Sequence, residues 1–194
     1  MSSVLKIEKM THYFGGLRAV SNFNIDLPSG ALWGLIGPNG AGKTTIFNLI
    51  TGVHNPSSGN IIFLDQHIAG KAPYQIVHMG IARTFQNLRI FNSLSVLDNI
   101  RIARHYTTEK SRYLTTRSIE SQQNFLHTTI FDSIFRTPTY NKVEQQIKEE
   151  AYELLKIFKL ESCMYSTAKN LPYGMLRKLE IARALATHPS LLLL

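Results

Sequence analysis

The chain has 194 residues, enough for one domain or one domain with a subdomain, and its 44% apolar content suffices for a substantial core. A single cysteine, Cys163, excludes an internal disulfide and suits a reducing compartment; no stretch is long and apolar enough to span a membrane, and Met1 to Lys6 lacks a signal-peptide core. The formal net charge of +8 is concentrated at Arg101, Arg104, Lys110, Arg112 and Arg117, with Glu109 among them. Aromatic residues do not interleave with this cluster as they do in binders of single-stranded nucleic acid. A solvated helix face, or a face near anionic lipid or a membrane protein, accounts for it better.

In chain order, Val4 to Glu8 and Phe23 to Leu27 alternate apolar and polar residues, as half-buried strands do. Ala31 to Ile36 is a short apolar run after Pro28-Ser29-Gly30, which predicts a buried strand. Thr45 to Thr51 predicts a helix stopped by Gly52. Asn60 to Asp65 follows a turn at Pro56 to Gly59 and predicts another strand. Ala72 to Met79 predicts a short helix, with Pro73 in its first turn and Gly80 past its end, and Ile81 to Phe85 a strand ending at Gln86.

Beyond Phe91 the pattern turns helical. Ser95-Val96-Leu97-Asp98 fits a capping box. Residues Thr107 to Asn141 are polar and weakly periodic, and predict a long loop with one or two short helices. Val143, Ile147, Ala151, Leu154, Leu155 and Phe158 recur at helical spacing and predict an amphipathic helix from Asn141 to Phe158. A last helix is expected over Met175 to Thr187, broken by His188-Pro189. Leu191 to Leu194 predicts the start of a buried strand of a parallel sheet, so the chain is expected to be a fragment cut inside that strand.

Between the Ala31–Ile36 strand and the following helix lies Gly37-Pro38-Asn39-Gly40-Ala41-Gly42-Lys43-Thr44, which fits the phosphate-binding loop pattern. Gly37, Gly40 and Gly42 let the backbone curl so that successive N–H groups face a phosphate chain. Lys43 adds a point charge, the Thr44 hydroxyl is placed for Mg2+, and the helix N-terminus favours an anion. The seven histidines show no metal-ligand spacing.

Further along, Arg83-Thr84-Phe85-Gln86 and Leu171-Pro172-Tyr173-Gly174-Met175, leading into Leu179-Glu180-Ile181-Ala182-Arg183, appear in a fixed order after that loop. Together with Phe14-Gly15-Gly16-Leu17-Arg18-Ala19-Val20, this resembles the ATP-binding subunits of ABC transporters. Within that family it looks most like the ATPases of bacterial branched-chain amino-acid uptake systems. The resemblance covers essentially the whole chain.

The resemblance implies an α/β fold, a P-loop NTPase of ABC type. A mostly parallel sheet core, an N-terminal antiparallel β layer and a helical subdomain are expected, with an ATP-binding core at residues 1–91 and 171–194 and the subdomain at 92–170. It implies ATP and Mg2+ as ligands. Pro38, Asn39, Ala41 and Thr45 would join the three loop glycines, Lys43 and Thr44 in holding nucleotide. Phe14 matches the aromatic that stacks on adenine; Tyr13 is the neighbouring candidate, and strand alternation lets only one of them face the base. Lys43 and Gln86 would serve hydrolysis, Thr44 and Gln86 the metal, and Gly174 the phosphate of a facing subunit. The implied partners are a second ABC ATPase subunit in a homo- or heterodimer, integral membrane permease subunits and, indirectly, a periplasmic binding protein, with no nucleic acid. The implied place is peripheral, on the cytoplasmic face of the bacterial inner membrane.

The chain departs from the family consensus Leu-Ser-Gly-Gly-Gln: Pro172 and Met175 remove a hydroxyl donor and an amide, and Tyr173 replaces a glycine. The family's Asp-Glu pair, which holds metal and polarises water, would begin where Leu194 stands, and the switch histidine lies further on. Weak nucleotide binding and little turnover are therefore expected of these residues alone. Three alternatives remain open: a non-hydrolysing nucleotide-binding fragment, a soluble ABC ATPase not tied to transport, and a GTPase. Tandem domains or coiled-coil insertions would mark the second and an Asn-Lys-x-Asp motif the third; neither is present.

Overall fold

Strand β1 (Ser3–Phe14) and strand β2 (Leu17–Pro28) form a long antiparallel hairpin around Gly15-Gly16. Both extend past the alternating stretches read from sequence. The pairing slips between Ile7 and Met10, and Lys9 adopts a positive φ of 49°. Such a bulge reverses the parity of inward-facing positions. Leu5 and Ile7 are therefore buried before it, and Met10 and His12 after it. Strand β3 (Ser58–Phe63) pairs antiparallel with β1, and the short β4 (Gln66–His67) with β3, giving the order β2-β1-β3-β4.

The computed structural model describes residues 3–85, 88–104 and 138–194, without the side chains of 138–142. These fall into two units, Met1–Arg83 with Ser190–Leu193, and Thr84–Pro189 with Leu194. In the first unit, helix α1 (Lys43–Ile50) buries Ile46, Leu49 and Ile50 in a core shared with Ile7, Met10, Ile61 and Phe63 of the sheet. Helix α2 (Pro73–Met79) buries Ile76 in the same core and ends on Gly80 in the left-handed region. Strands β5 (Ile81–Arg83) and β6 (Leu191–Leu193) pair in parallel, with Ile81, Leu191 and Leu193 buried. The leucine run thus forms the parallel strand expected of it.

Ala31 to Ile36 does not form the expected buried strand. None of the described strands pairs with it, and Leu32 and Ile36 are 98% and 91% exposed. An apolar run becomes a strand only when another strand lies beside it, and that condition is not local.

The second unit is helical. Helix α3, residues 96–104, packs Val96, Leu97 and Ile100 with Ala151 and Leu155 of α4 (Pro138–Ile157) and Leu179 and Ala182 of α5 (Tyr173–Ala186). The Ser95 hydroxyl accepts the Asp98 N–H at 3.0 Å and donates to the Asp98 carboxylate at 2.6 Å, so Ser95 caps α3 as its sequence predicts. The reciprocal half of the box differs, because Asp98 reaches the hydroxyl rather than the Ser95 amide. Most of the Thr107–Asn141 segment lies outside the described residues. Its end is the start of α4, which begins at Pro138 rather than Asn141, a residue suited to a first helical turn.

Two of the clustered basic residues serve this unit internally. Arg101 bridges Asp98 at 2.9 Å and Glu144 at 2.6 Å, and Arg104 pairs with Glu150. Lys110, Arg112 and Arg117 lie outside the described residues. The Arg104 guanidinium donates to Glu150 and holds its carboxyl below the usual carboxylate range, outweighing a smaller opposing effect of burial. A depressed carboxyl stabilises the fold above its unfolded pKa and loses that contribution as pH falls through the folded value. Glu150→Gln is expected to cost about 0.5 to 1 kcal/mol at pH 7 and distinctly less near pH 3, below the unfolded pKa. Urea midpoints at the two pH values check this, and an equal cost at both would sink the ion-pair account.

Candidate functional site

The phosphate-loop residues fall where sequence places them, between the Ala31–Ile36 segment and α1. Gly40 and Gly42 take positive φ values of 82° and 80°, and Gly42 is the N-cap of α1. A Cβ on Gly42 would sit 2.5 Å from the Ala19 carbonyl oxygen and 3.4 Å from the Val20 side chain. The loop is therefore pressed against β2, which only a glycine allows. Gly37, Pro38, Asn39, Gly40 and Ala41 are exposed, as is Thr44 in the first turn of α1. The first-turn amides of a helix have no intrahelical acceptor, and here they open onto the loop. The Lys43 ammonium donates to the Gly37 and Pro38 carbonyls, each at 2.7 Å, which closes the loop into a ring. An ammonium has three donors, so one remains for an anion. Exposed amides, a cation and an accessible hydroxyl at one helix start fit a phosphate chain with a hard divalent metal such as Mg2+.

The tip of the β1–β2 hairpin lies beside this loop. His12 pairs across the ladder with Val20, whose side chain is among the atoms a Cβ on Gly42 would meet, and Phe14 pairs with Leu17. Phe14 is 44% exposed, enough to offer a ring face, and Tyr13 is exposed to a similar degree. Phe14 is distinguished by its neighbours. Its ring lies 4.6 Å from His12 and 5.3 Å from His54, nearly perpendicular to both. His54 is brought there by the turn after α1, where the Val53 and His54 amides donate to the Asn48 carbonyl and the Ser57 hydroxyl accepts the Tyr13 N–H at 3.2 Å.

Arg83 ties β5 to α1. Its Nη1 donates to the Asn48 side chain at 2.8 Å and to the Thr51 hydroxyl at 3.2 Å, and its guanidinium lies over the Phe47 ring.

In the second unit, Gly174 stands in the first turn of α5, with Pro172 as the N-cap and no described atom within 4 Å of a Cβ built on it. Helix α5 thus starts earlier than Met175, so the Leu171–Met175 segment is itself the helix start. Three residues on, Arg177 Nη1 donates to the Phe85 carbonyl and to the Glu180 carboxylate, both at 2.7 Å. Glu180 accepts the Phe85 N–H at 3.0 Å through its other oxygen. Gln86, the next residue after Phe85, lies outside the described residues. No group of three or more metal-ligating side chains forms among the described residues.

Sequence reading assigned no functional role to His12, His54, Arg83 or the Arg177–Glu180 pair, although Arg83 and Glu180 lie in segments that carry the resemblance. His12 was findable, since it sits two residues before Phe14 on one strand face. The others depend on contacts between distant segments that no local pattern announces.

Known proteins resemble this chain in sequence and fold. The profile of the ABC transporter family matches residues 20–194. The high-affinity branched-chain amino acid transport ATP-binding protein LivG of Escherichia coli K12 is 37% identical over 98% of this chain and 68% of its own length. BraF of Pseudomonas aeruginosa, which carries the same description, is 36% identical over the same shares. Among solved structures, MJ1267, an ATP-binding cassette of an ABC transporter, superposes with a TM-score of 0.73 at 29% identity, over 99% of this chain and 68% of that one. Its ADP conformation gives a TM-score of 0.72.

Proposed function

The chain belongs to the ABC transporter family, and from that premise we propose that it binds ATP with Mg2+ as the ATP-binding subunit of an importer for branched-chain amino acids. The observation that carries the reading is the loop Gly37–Thr44, pinned to β2 at Gly42 and closed by Lys43 over the start of α1. In this reading the loop amides from Asn39 to Thr45 hold the phosphates, the third Lys43 donor reaches their outer oxygens, and the Thr44 hydroxyl is a metal ligand. The metal, when bound, neutralises charge on the outer phosphates. Phe14 offers its exposed face to adenine. Gly174, at the start of α5, is assigned to the phosphate of a facing subunit, and Gln86 to the metal and the attacking water.

The amino-acid branch rests on what LivG and BraF are described as doing. Their description supports membrane permease partners and a peripheral place on the cytoplasmic face; no described helix is long and apolar enough to cross a membrane. Pairing of two ATPase subunits and the domain division at residues 91 and 171 belong to the same reading.

The test is calorimetric titration with ATP and Mg2+. ATP is expected to bind, and Lys43→Ala to weaken it about tenfold to a hundredfold, the range of one or two charge-assisted contacts. Absence of ATP binding, or a Lys43→Ala variant that binds as well as the parent, would defeat the proposal.

A further inference from the structure

His12 is 8% exposed, and both its ring nitrogens are buried with no hydrogen-bond partner among the described residues. Each such group in a native structure calls for a reason. Within the β1–β2 ladder its side chain is placed by contacts with other rings. Those contacts are specific. The His12 and His54 rings stack, with centroids 5.7 Å apart and planes 17° from parallel. Each is within 7° of perpendicular to Phe14, at 87° and 83°. The three rings close a triangle in which two nearly parallel imidazoles stand close to perpendicular to one phenyl ring. The triangle also draws on two separate segments, the end of β1 and the turn after α1, so it joins the hairpin tip to the helix that begins at the phosphate loop.

We propose that His12 and His54 are positioning residues for base recognition: they hold the Phe14 ring at a fixed tilt beside the phosphate loop, so that it stacks on the base without first being ordered. This rests on the reading of Phe14 as the base platform. Aromatic stacking yields affinity only to the extent that the ring is already oriented, because immobilising a side chain on binding subtracts from the gain. Perpendicular ring pairs are the arrangement aromatic quadrupoles favour, and His54, only partly buried, completes the pair from outside the strand. The effect should therefore appear in the contribution of the base and not in that of the phosphates.

The experiment measures binding of Mg-ATP and of inorganic tripolyphosphate, which has no base, to the parent chain and four variants. Phe14→Ala is expected to weaken ATP about tenfold and to leave tripolyphosphate unchanged. His12→Ala and His54→Ala are expected to weaken ATP about threefold to fivefold, again without affecting tripolyphosphate. His12→Phe restores a ring and removes the two unpartnered nitrogens; it is expected to bind ATP like the parent and to melt at a higher temperature. If Phe14→Ala lowers the ATP-to-tripolyphosphate ratio but neither histidine variant does, the positioning role is wrong and the base platform stands. If Phe14→Ala leaves the ratio unchanged, both readings fall. A His12→Phe variant as weak as His12→Ala would overturn the ring-packing account. Should His12→Ala fail to fold, His54→Ala decides.

Discussion

Gly42→Ala is expected to lower nucleotide affinity about a hundredfold or more and to destabilise the first unit by about 3 kcal/mol. The new Cβ would stand 2.5 Å from the Ala19 carbonyl oxygen, a backbone atom that cannot swing aside. The residue would also have to hold a φ of 80°, which costs an alanine about 1 to 2 kcal/mol by itself. Relief comes only by lifting the loop off β2 or by uncapping α1. Either movement redirects the loop amides, and losing two charge-assisted contacts accounts for a hundredfold. Gly40→Ala is the control. It has a similar φ of 82° but no described atom within 4 Å of its Cβ, so only the conformational cost of about 1 to 2 kcal/mol applies. Denaturation midpoints and ATP titrations on both variants decide the matter. Equal effects at the two positions would show that contact with β2 does not hold the loop.

Arg177→Met should destabilise the second unit by about 3 kcal/mol. Arg177 and Glu180, one turn apart on α5, grip both polar groups of the Phe85 peptide, and Glu180 is only 3% exposed. Removing the guanidinium leaves a buried carboxylate facing a single N–H and takes the Arg177 donor from the Phe85 carbonyl. A double Arg177→Met, Glu180→Met variant relieves the unpaired charge but still removes both side-chain hydrogen bonds to Phe85. It should recover part of the loss and not all of it. Urea denaturation of the two variants measures this. A single variant within 0.5 kcal/mol of the parent would mean water replaces the clamp, about the size expected of an ordinary surface pair.

The phosphate loop could be read directly because everything it needs is contiguous: three glycines, a lysine, a threonine and the helix that follows. The same holds for α2, bracketed by Pro73 and Gly80, and for the Ser95 cap of α3. Ala31 to Ile36 shows where local reading stops. Its composition is that of a buried strand, yet burial requires a neighbouring strand, and none of those described pairs with it. The bulge at Lys9 is a similar case, since it exchanges the faces of β1 partway along and sends His12 inward behind Phe14.

By itself, then, the sequence determined the phosphate chemistry, the order of its elements and the parallel β6 strand, because glycine placement, capping residues and apolar runs act within a few residues. Tertiary structure alone decided which rings surround Phe14, that Gly42 rests on Ala19, and that Arg177 and Glu180 hold Phe85 from α5. Those contacts join residues as far as 95 positions apart. They are set by the packing of whole elements, through bulges, turns and burial whose outcome no short stretch of chain encodes.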